Sequence, residues 1–220
     1  MPKKEVTISV NDAELKANLV IPDEARGMVI FSHGSGSSRL SSRNNYVADV
    51  LNNKNIATLL TDLLSPDEDN NYQTRFNIPL LTTRLVQVTK WVQADAQLKN
   101  LPTGYFGAST GAASALGAAA ELSNVIKAVV SRGGRPDLAM DALPLVKSST
   151  LLIVGSLDTQ VIDLNKRAYN QLKCEKRMEI IEGASHLFEE PGTLNKVARI
   201  AAEWFEQRLL MPEFFIGTHL

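Results

Sequence analysis

The sequence is short of the residues that metal, disulfide and nucleic-acid chemistry require. Its 220 residues include one cysteine, Cys174, and three histidines, His33, His186 and His219. One thiol cannot close an internal disulfide, and its isolation points to a reducing, cytoplasmic compartment. Three scattered histidines and one cysteine form no ligand cluster, so no metal site is expected. The formal net charge is −1 and no run of lysine and arginine occurs, which argues against a nucleic-acid surface. Every apolar stretch is interrupted well before eighteen residues, which excludes a spanning helix. Met1-Pro2-Lys3-Lys4-Glu5 leads directly into an alternating segment, so no signal peptide is expected. Repeats, low-complexity tracts and composition breaks are absent too, and a single domain over 1–220 is the expectation.

What is present is an alternation of strand-like and helix-like segments. Val6 to Val10 and Leu15 to Ile21 alternate apolar and polar around Asn11-Asp12, the pattern of an antiparallel hairpin at a sheet edge. A continuous apolar run follows at Met28 to Ser32 and another buried strand at Ile56 to Leu60, as in buried parallel strands, and strands recur within Thr103 to Gly107, Ile126 to Val130, Thr150 to Val154 and Met178 to Ile181. Between them the spacing predicts helices near 45–51, 81–92, 110–121 and 163–172, with shorter pieces over 138–147. A final helix carries Val197, Ile200, Ala201, Trp204 and Phe205 on one face. The predicted architecture is α/β: a mostly parallel twisted sheet with an antiparallel N-terminal hairpin and helices on both faces. Ser65 to Asn77 reads as a polar surface loop. The tail from Met211 holds Phe214-Phe215-Ile216, expected to pack back on the domain, with a homodimer contact as the alternative.

The most informative stretch is Gly107-Ala108-Ser109-Thr110-Gly111, lying between an apolar strand and the small-residue run Ala112 to Ala120. Common by chance on its own, the pattern in this context is that of a nucleophile elbow, whose turn leaves no room for a side chain two residues either side of the serine. The bland alternative is a serine that caps the helix. A nucleophilic hydroxyl needs a base. His33 precedes the serine in His33-Gly34-Ser35-Gly36, His219 sits next to the terminus, and His186 follows a strand through Gly183-Ala184-Ser185. His186 is therefore the expected base, and Asp158, just past the strand Thr150 to Val154, the expected acid; Asp137 is the runner-up. Asp163 reads as the start of the next helix. Backbone N–H groups of Thr110 and Ser35 are the candidate oxyanion donors, with His33 a structural histidine of that loop.

Arg39 and Arg43 flank the Gly/Ser loop, and Arg132 follows a strand in Ser131-Arg132-Gly133-Gly134-Arg135. These three are candidate receivers of a substrate anion, weighed against solvated or acid-paired arginines. The loop lacks the third glycine of a dinucleotide fingerprint and contains no Gly-Lys-Ser/Thr.

Phe31 to Ser38, Gly104 to Ala113, Val129 to Asp137, Leu151 to Asp158 and Gly183 to Phe188 together resemble the dienelactone hydrolase-like branch of the α/β-hydrolases over nearly the whole chain. The resemblance implies an α/β-hydrolase fold with little or no cap, acting on esters or lactones of small molecules without a cofactor. It departs in one place: dienelactone hydrolases carry a cysteine at the elbow, and here the residue is Ser109. That points to a serine esterase. Thioesterase or peptidase activity would use the same three residues, and a non-catalytic binding or scaffold module is the reading from a different class. Related sequences occur beside or fused to a phosphoribosyltransferase-like domain, which these 220 residues do not contain.

Overall fold

The order in which the apolar runs pair sets where every functional side chain emerges. In the computed structural model, residues 1–210 are described, and His219 and the Phe214-Phe215 tail lie outside them. Eight strands form one sheet: β1 Lys4–Ser9, β2 Glu14–Val20, β3 Gly27–Ser32, β4 Ile56–Thr61, β5 Thr103–Ala108, β6 Ile126–Arg132, β7 Ser149–Gly155 and β8 Lys176–Ile181. Their spatial order is β1-β2-β4-β3-β5-β6-β7-β8. β2 runs antiparallel to both β1 and β4, and all later pairs are parallel. This is the expected α/β-hydrolase sheet with its antiparallel hairpin at one edge. Strands β3, β4 and β5 are buried along their whole length, which explains their unbroken apolar sequence.

Six α-helices flank the sheet: α1 Ser42–Asn52, α2 Pro66–Asp69, α3 Ile78–Ala94, α4 Gly111–Leu122, α5 Thr159–Gln171 and α6 Thr193–Phe205. One apolar layer joins β-strand faces to α3 and α4 through Leu85, Val88, Val92, Leu116 and Tyr105. The other joins the opposite face to α1 and α6 through Phe31, Val47, Phe106, Val130, Val197 and Phe205. The α6 stripe read from the sequence is the buried one, and Lys196, Arg199 and Glu203 face solvent. No cap stands over the carboxyl edge among the described residues, and none of their helices is long and apolar enough to cross a membrane.

Two expectations need correction. Helix α5 begins at Thr159, not near 163, because Asp158 already stands at its N-terminal boundary; Asp163 lies in the second turn and pairs with Lys166 at 3.6 Å. The segment 65–77 is more than a loop. It contains α2, closed by a reciprocal capping box in which Ser65 Oγ accepts from the Glu68 N–H and Glu68 accepts from the Ser65 N–H. Glu68 then receives both Nη1 and Nη2 of Arg84 at 2.6 Å. Arg84, on α3 and 1% exposed, also donates to the Leu63 carbonyl and to Asp12 in the hairpin turn. One buried guanidinium thus ties the rim segment, α3 and the sheet edge together.

The Arg84 hydrogen bonds hold the Glu68 carboxyl down from 4.5 to about 2. A depressed acid stabilises fully above its unfolded value and loses that contribution as pH falls from about 4.5 towards 2. Glu68→Gln should therefore cost on the order of 3 kcal/mol at pH 7, since it strands part of a buried charge. Urea denaturation at pH 7, 4 and 2.5 checks this: the gap to wild type should close at the acid end, and a pH-independent gap would reject the assignment.

Candidate active site

The carboxyl ends of β3, β5, β6 and β7, with the loop after β8, converge on Ser109. Between β5 and α4 this residue holds φ at 50°, a left-handed value that costs a non-glycine residue about 1–3 kcal/mol. Its N–H donates to the Arg132 carbonyl at 3.2 Å, and its own carbonyl accepts from Ala112 and Arg135 N–H groups at 3.1 and 3.0 Å. Both flanking glycines are required, for different reasons. A Cβ at Gly107 would lie 2.5 Å from Ala112 Cα within the turn, whereas one at Gly111 would lie 2.2 Å from the Ser32 carbonyl oxygen of the neighbouring strand. Ser109 does not cap α4. Thr110 occupies the N-cap, and no side chain bonds the helix start.

His186 and Asp158 come together as expected. His186 Nδ1 lies 2.5 Å from Asp158 Oδ2. A carboxylate only accepts, so Nδ1 carries the proton and the Nε2 lone pair faces outward. Asp158 stands at the start of α5 yet makes no capping bond, leaving its carboxylate to the imidazole. Two bonds stitch the acid's turn to the base's loop: Leu157 N–H to the Ala184 carbonyl at 3.0 Å, and Gly183 N–H to Ser156 Oγ at 2.8 Å. Asp137 is engaged elsewhere, receiving Nε and Nη2 of Arg135 at 2.9 and 2.8 Å. Ser109 and His186 rest against the same dipeptide: the serine N–H on Arg132, and His186 Cε1 3.6 Å from where a Cβ of Gly133 would sit. No hydrogen bond joins Ser109 Oγ to His186 among the described residues, a contact that commonly closes only with substrate.

The oxyanion loop holds a correction. The Ser35 N–H is not free: it donates to Thr110 Oγ1 at 2.8 Å. Thr110 is buried, so its hydroxyl must find a partner inside the fold, and that cross-loop pairing is invisible in sequence. The Thr110 N–H has no acceptor among the described residues. A crevice of ≈ 10 Å³, about one water, lies between Ser35, Gly36, Thr110 and Arg75. His33 is held within its loop. Its Nδ1 donates to the Gly34 carbonyl at 2.9 Å, and its Nε2 is buried 3.9 Å from Asp62. Beside it a cleft of ≈ 200 Å³ is lined by Lys16, His33, Ser38, Arg39, Asp62 and Leu64.

The three candidate arginines separate. Arg39 donates Nη1 to Asp62 at 2.6 Å and Nη2 to Glu5 at 3.0 Å, which occupies both terminal nitrogens. Arg43 gives Nη1 to Glu189 at 3.0 Å near the surface. Arg132 is buried without a carboxylate; burial first, then the Arg43 charge, lowers its pKa to about 10. Sequence reasoning missed Arg75, whose Nε and Nη2 bind Asp69 while Nη1 lies 3.7 Å from where a Gly36 Cβ would be. Nothing in the segment's polar composition singles it out.

No family model matches the chain. Among solved structures, a dienelactone hydrolase from Anabaena variabilis is 54% identical, superposes with a TM-score of 0.92, and is matched over 94% of this chain and 98% of its own. A protein of Mycobacterium tuberculosis, provisionally named a phosphoribosyl transferase, is 49% identical over 209 residues, which is 95% of this chain and 47% of that protein. The chain thus spans about half the length of the curated relatives it matches. Est1E from Butyrivibrio proteoclasticus shares the fold at 17% identity, with a TM-score of 0.81 over 94% of this chain and 99% of its own.

If the elbow is set by backbone clash rather than by φ alone, Gly111→Ala should abolish soluble folding or cost more than about 3 kcal/mol. Gly183→Ala, at φ 71° with nothing within 4 Å, should cost only about 1–2 kcal/mol. Thermal unfolding of the pair measures the difference, and equal costs would refute the steric account.

Proposed function

The chain belongs to the dienelactone hydrolase-like family of the α/β-hydrolases, and on that premise we propose that it is a serine hydrolase cleaving carboxylic esters or lactones of small molecules through an acyl-enzyme on Ser109. The observation that carries this reading is the Asp158–His186 pair, with its free Nε2 lone pair, set beside a serine in a strained elbow. His186 Nε2 takes the Ser109 hydroxyl proton as Oγ bonds the acyl carbon, and the carbonyl electron pair moves to oxygen. The Thr110 N–H meets that oxyanion. The Ser35 N–H is given to Thr110 Oγ1 and serves the oxyanion only by turning from that hydroxyl. Collapse breaks the bond to the leaving oxygen, which departs with the proton held on Nε2. Water then attacks the acyl-enzyme, gives its proton to His186, and the acid leaves as Nε2 returns that proton to Ser109.

A hydroxyl is a weaker nucleophile than a thiolate and depends more on its base, so the triad matters more here than with a cysteine at the elbow. The carboxyl edge is open, with no cap over it among the described residues. Half-buried Cys174, its thiol pushed up by burial, behaves as an inert structural residue and fits a cytoplasmic setting. On this reading, the transferase name of the Mycobacterium tuberculosis relative describes the part of that protein outside the match.

A fluorophosphonate probe should label the wild type and fail to label Ser109→Ala. His186→Ala should lose at least about a thousandfold in kcat on p-nitrophenyl acetate. Equal labelling of Ser109→Ala would move the nucleophile elsewhere, and no labelling or turnover by the wild type would favour a binding module.

A further inference from the structure

Two arginines are buried beyond nine-tenths among the described residues, and their surroundings are opposite. Arg84 is surrounded by acceptors: Glu68, Asp12 and the Leu63 carbonyl. Arg132, 7% exposed, has a single long hydrogen bond, from Nη2 to Asn44 Oδ1 at 3.4 Å. Its Nε and Nη1 are buried without a partner among the described residues, and the Phe188 ring lies 5.9 Å from the guanidinium carbon. Among the described residues no carboxylate pairs with it. The charge it feels most is another cation, Arg43, and the guanidinium still remains protonated at neutral pH, its pKa being lowered only to about 10.

The surroundings of this orphaned charge favour a negative ligand. Asn44 and Arg43 belong to the first turn of the eleven-residue α1, where the helix dipole is positive and no acidic side chain stands. Arg43 Nε is likewise buried and unpartnered. Its Nη1 is closed off only by Glu189, whose side chain is 62% exposed and replaceable at the surface. Phe188, over Arg132, holds φ at 57° two residues after His186. Two cations with three buried, unsatisfied nitrogens make an incomplete arrangement that one oxyanion completes.

We propose that Arg132 and Arg43, at the first turn of α1, form a binding site for a small oxyanion, a carboxylate or a phosphate, which enters by taking Arg43 from Glu189. The substrate's own carboxylate and a free solute anion are the two sources of that chemistry; both present two or three oxygens to the guanidinium pair. The site is independent of the acyl-enzyme chemistry, and Ser109→Ala protein should bind the anion as wild type does.

The test is thermal unfolding of wild type, Arg132→Met and Arg43→Gln with increasing inorganic phosphate or acetate, ionic strength held constant with sodium chloride. At a hundred times Kd, linkage predicts a saturable rise of about 5–10 °C for wild type that both variants lack. Without added anion, Arg132→Met should melt no lower than wild type, because it removes an unpaired buried charge. Arg43→Gln, at a partly exposed position, keeps the test decisive should Arg132→Met fail to fold. Equal rises in all three proteins, or no saturable rise in wild type, would each overturn the proposal. The source is read from kinetics on a neutral ester and on a half-ester bearing a free carboxylate. If KM rises in Arg132→Met for the half-ester alone, the substrate supplies the anion. If phosphate alters wild-type turnover of both esters equally, free solute does.

Discussion

Ser109 can be left-handed only because four neighbouring segments hold it there. Its N–H is tied to β6, its carbonyl to α4 and to Arg135, and Gly111 packs directly on the end of β3. The Ser32 to Ser114 hydroxyl contact, 2.8 Å and buried, locks α4 to that same strand. The strand order β3-β5-β6 is what brings these anchors to both sides of the turn. The strain of one residue is met by the packing of the central sheet.

Around that point the acidic side chains are distributed so that one is left to the imidazole. Asp62 is taken by Arg39, Glu68 by Arg84, Asp69 by Arg75 and Asp137 by Arg135. Asp158, among these rim carboxylates, meets no guanidinium and is bonded to His186 instead. An arginine there would compete for the carboxylate, lower its basicity and leave the imidazolium without its counter-charge. The same pairing leaves Arg132 as a surplus buried cation, which is why it stands out only once the other partners are known.

The strands were legible because buried parallel strands are written as mostly apolar runs, as β3 to β7 are, with Lys127 the exposed exception in β6. Ser109 and Asp158 were legible for a related reason, each following one of those runs closely, and His186 follows β8. What escaped was whatever depends on contacts between distant segments. α5 starts at Thr159 because a strand-end turn, not a helix-favouring residue, sets its beginning. The Ser35 N–H is satisfied by a hydroxyl 75 positions away, and Arg39 by acids on β1 and past β4. Nothing local distinguishes an arginine that meets a carboxylate from one that does not. Only the fold decides that.

Without a cap, the walls around Ser109 must come from the rim, and the rim is less free than its polar sequence implies. Arg75 and Asp69 sit on the segment that α2 organises, and α2 is held through Glu68 to Arg84. Arg84 reaches Asp12, in the turn between β1 and β2. The antiparallel hairpin, far from the elbow in sequence and at the outer edge of the sheet, is thereby coupled to the wall beside the oxyanion loop. A buried guanidinium cannot drift without exposing unpaired donors, so this wall is set by the same constraint that closes the sheet edge. That wall is built into the scaffold, whereas the His186 loop and the arginines of α1 and β6 stand apart from the Arg84 ties.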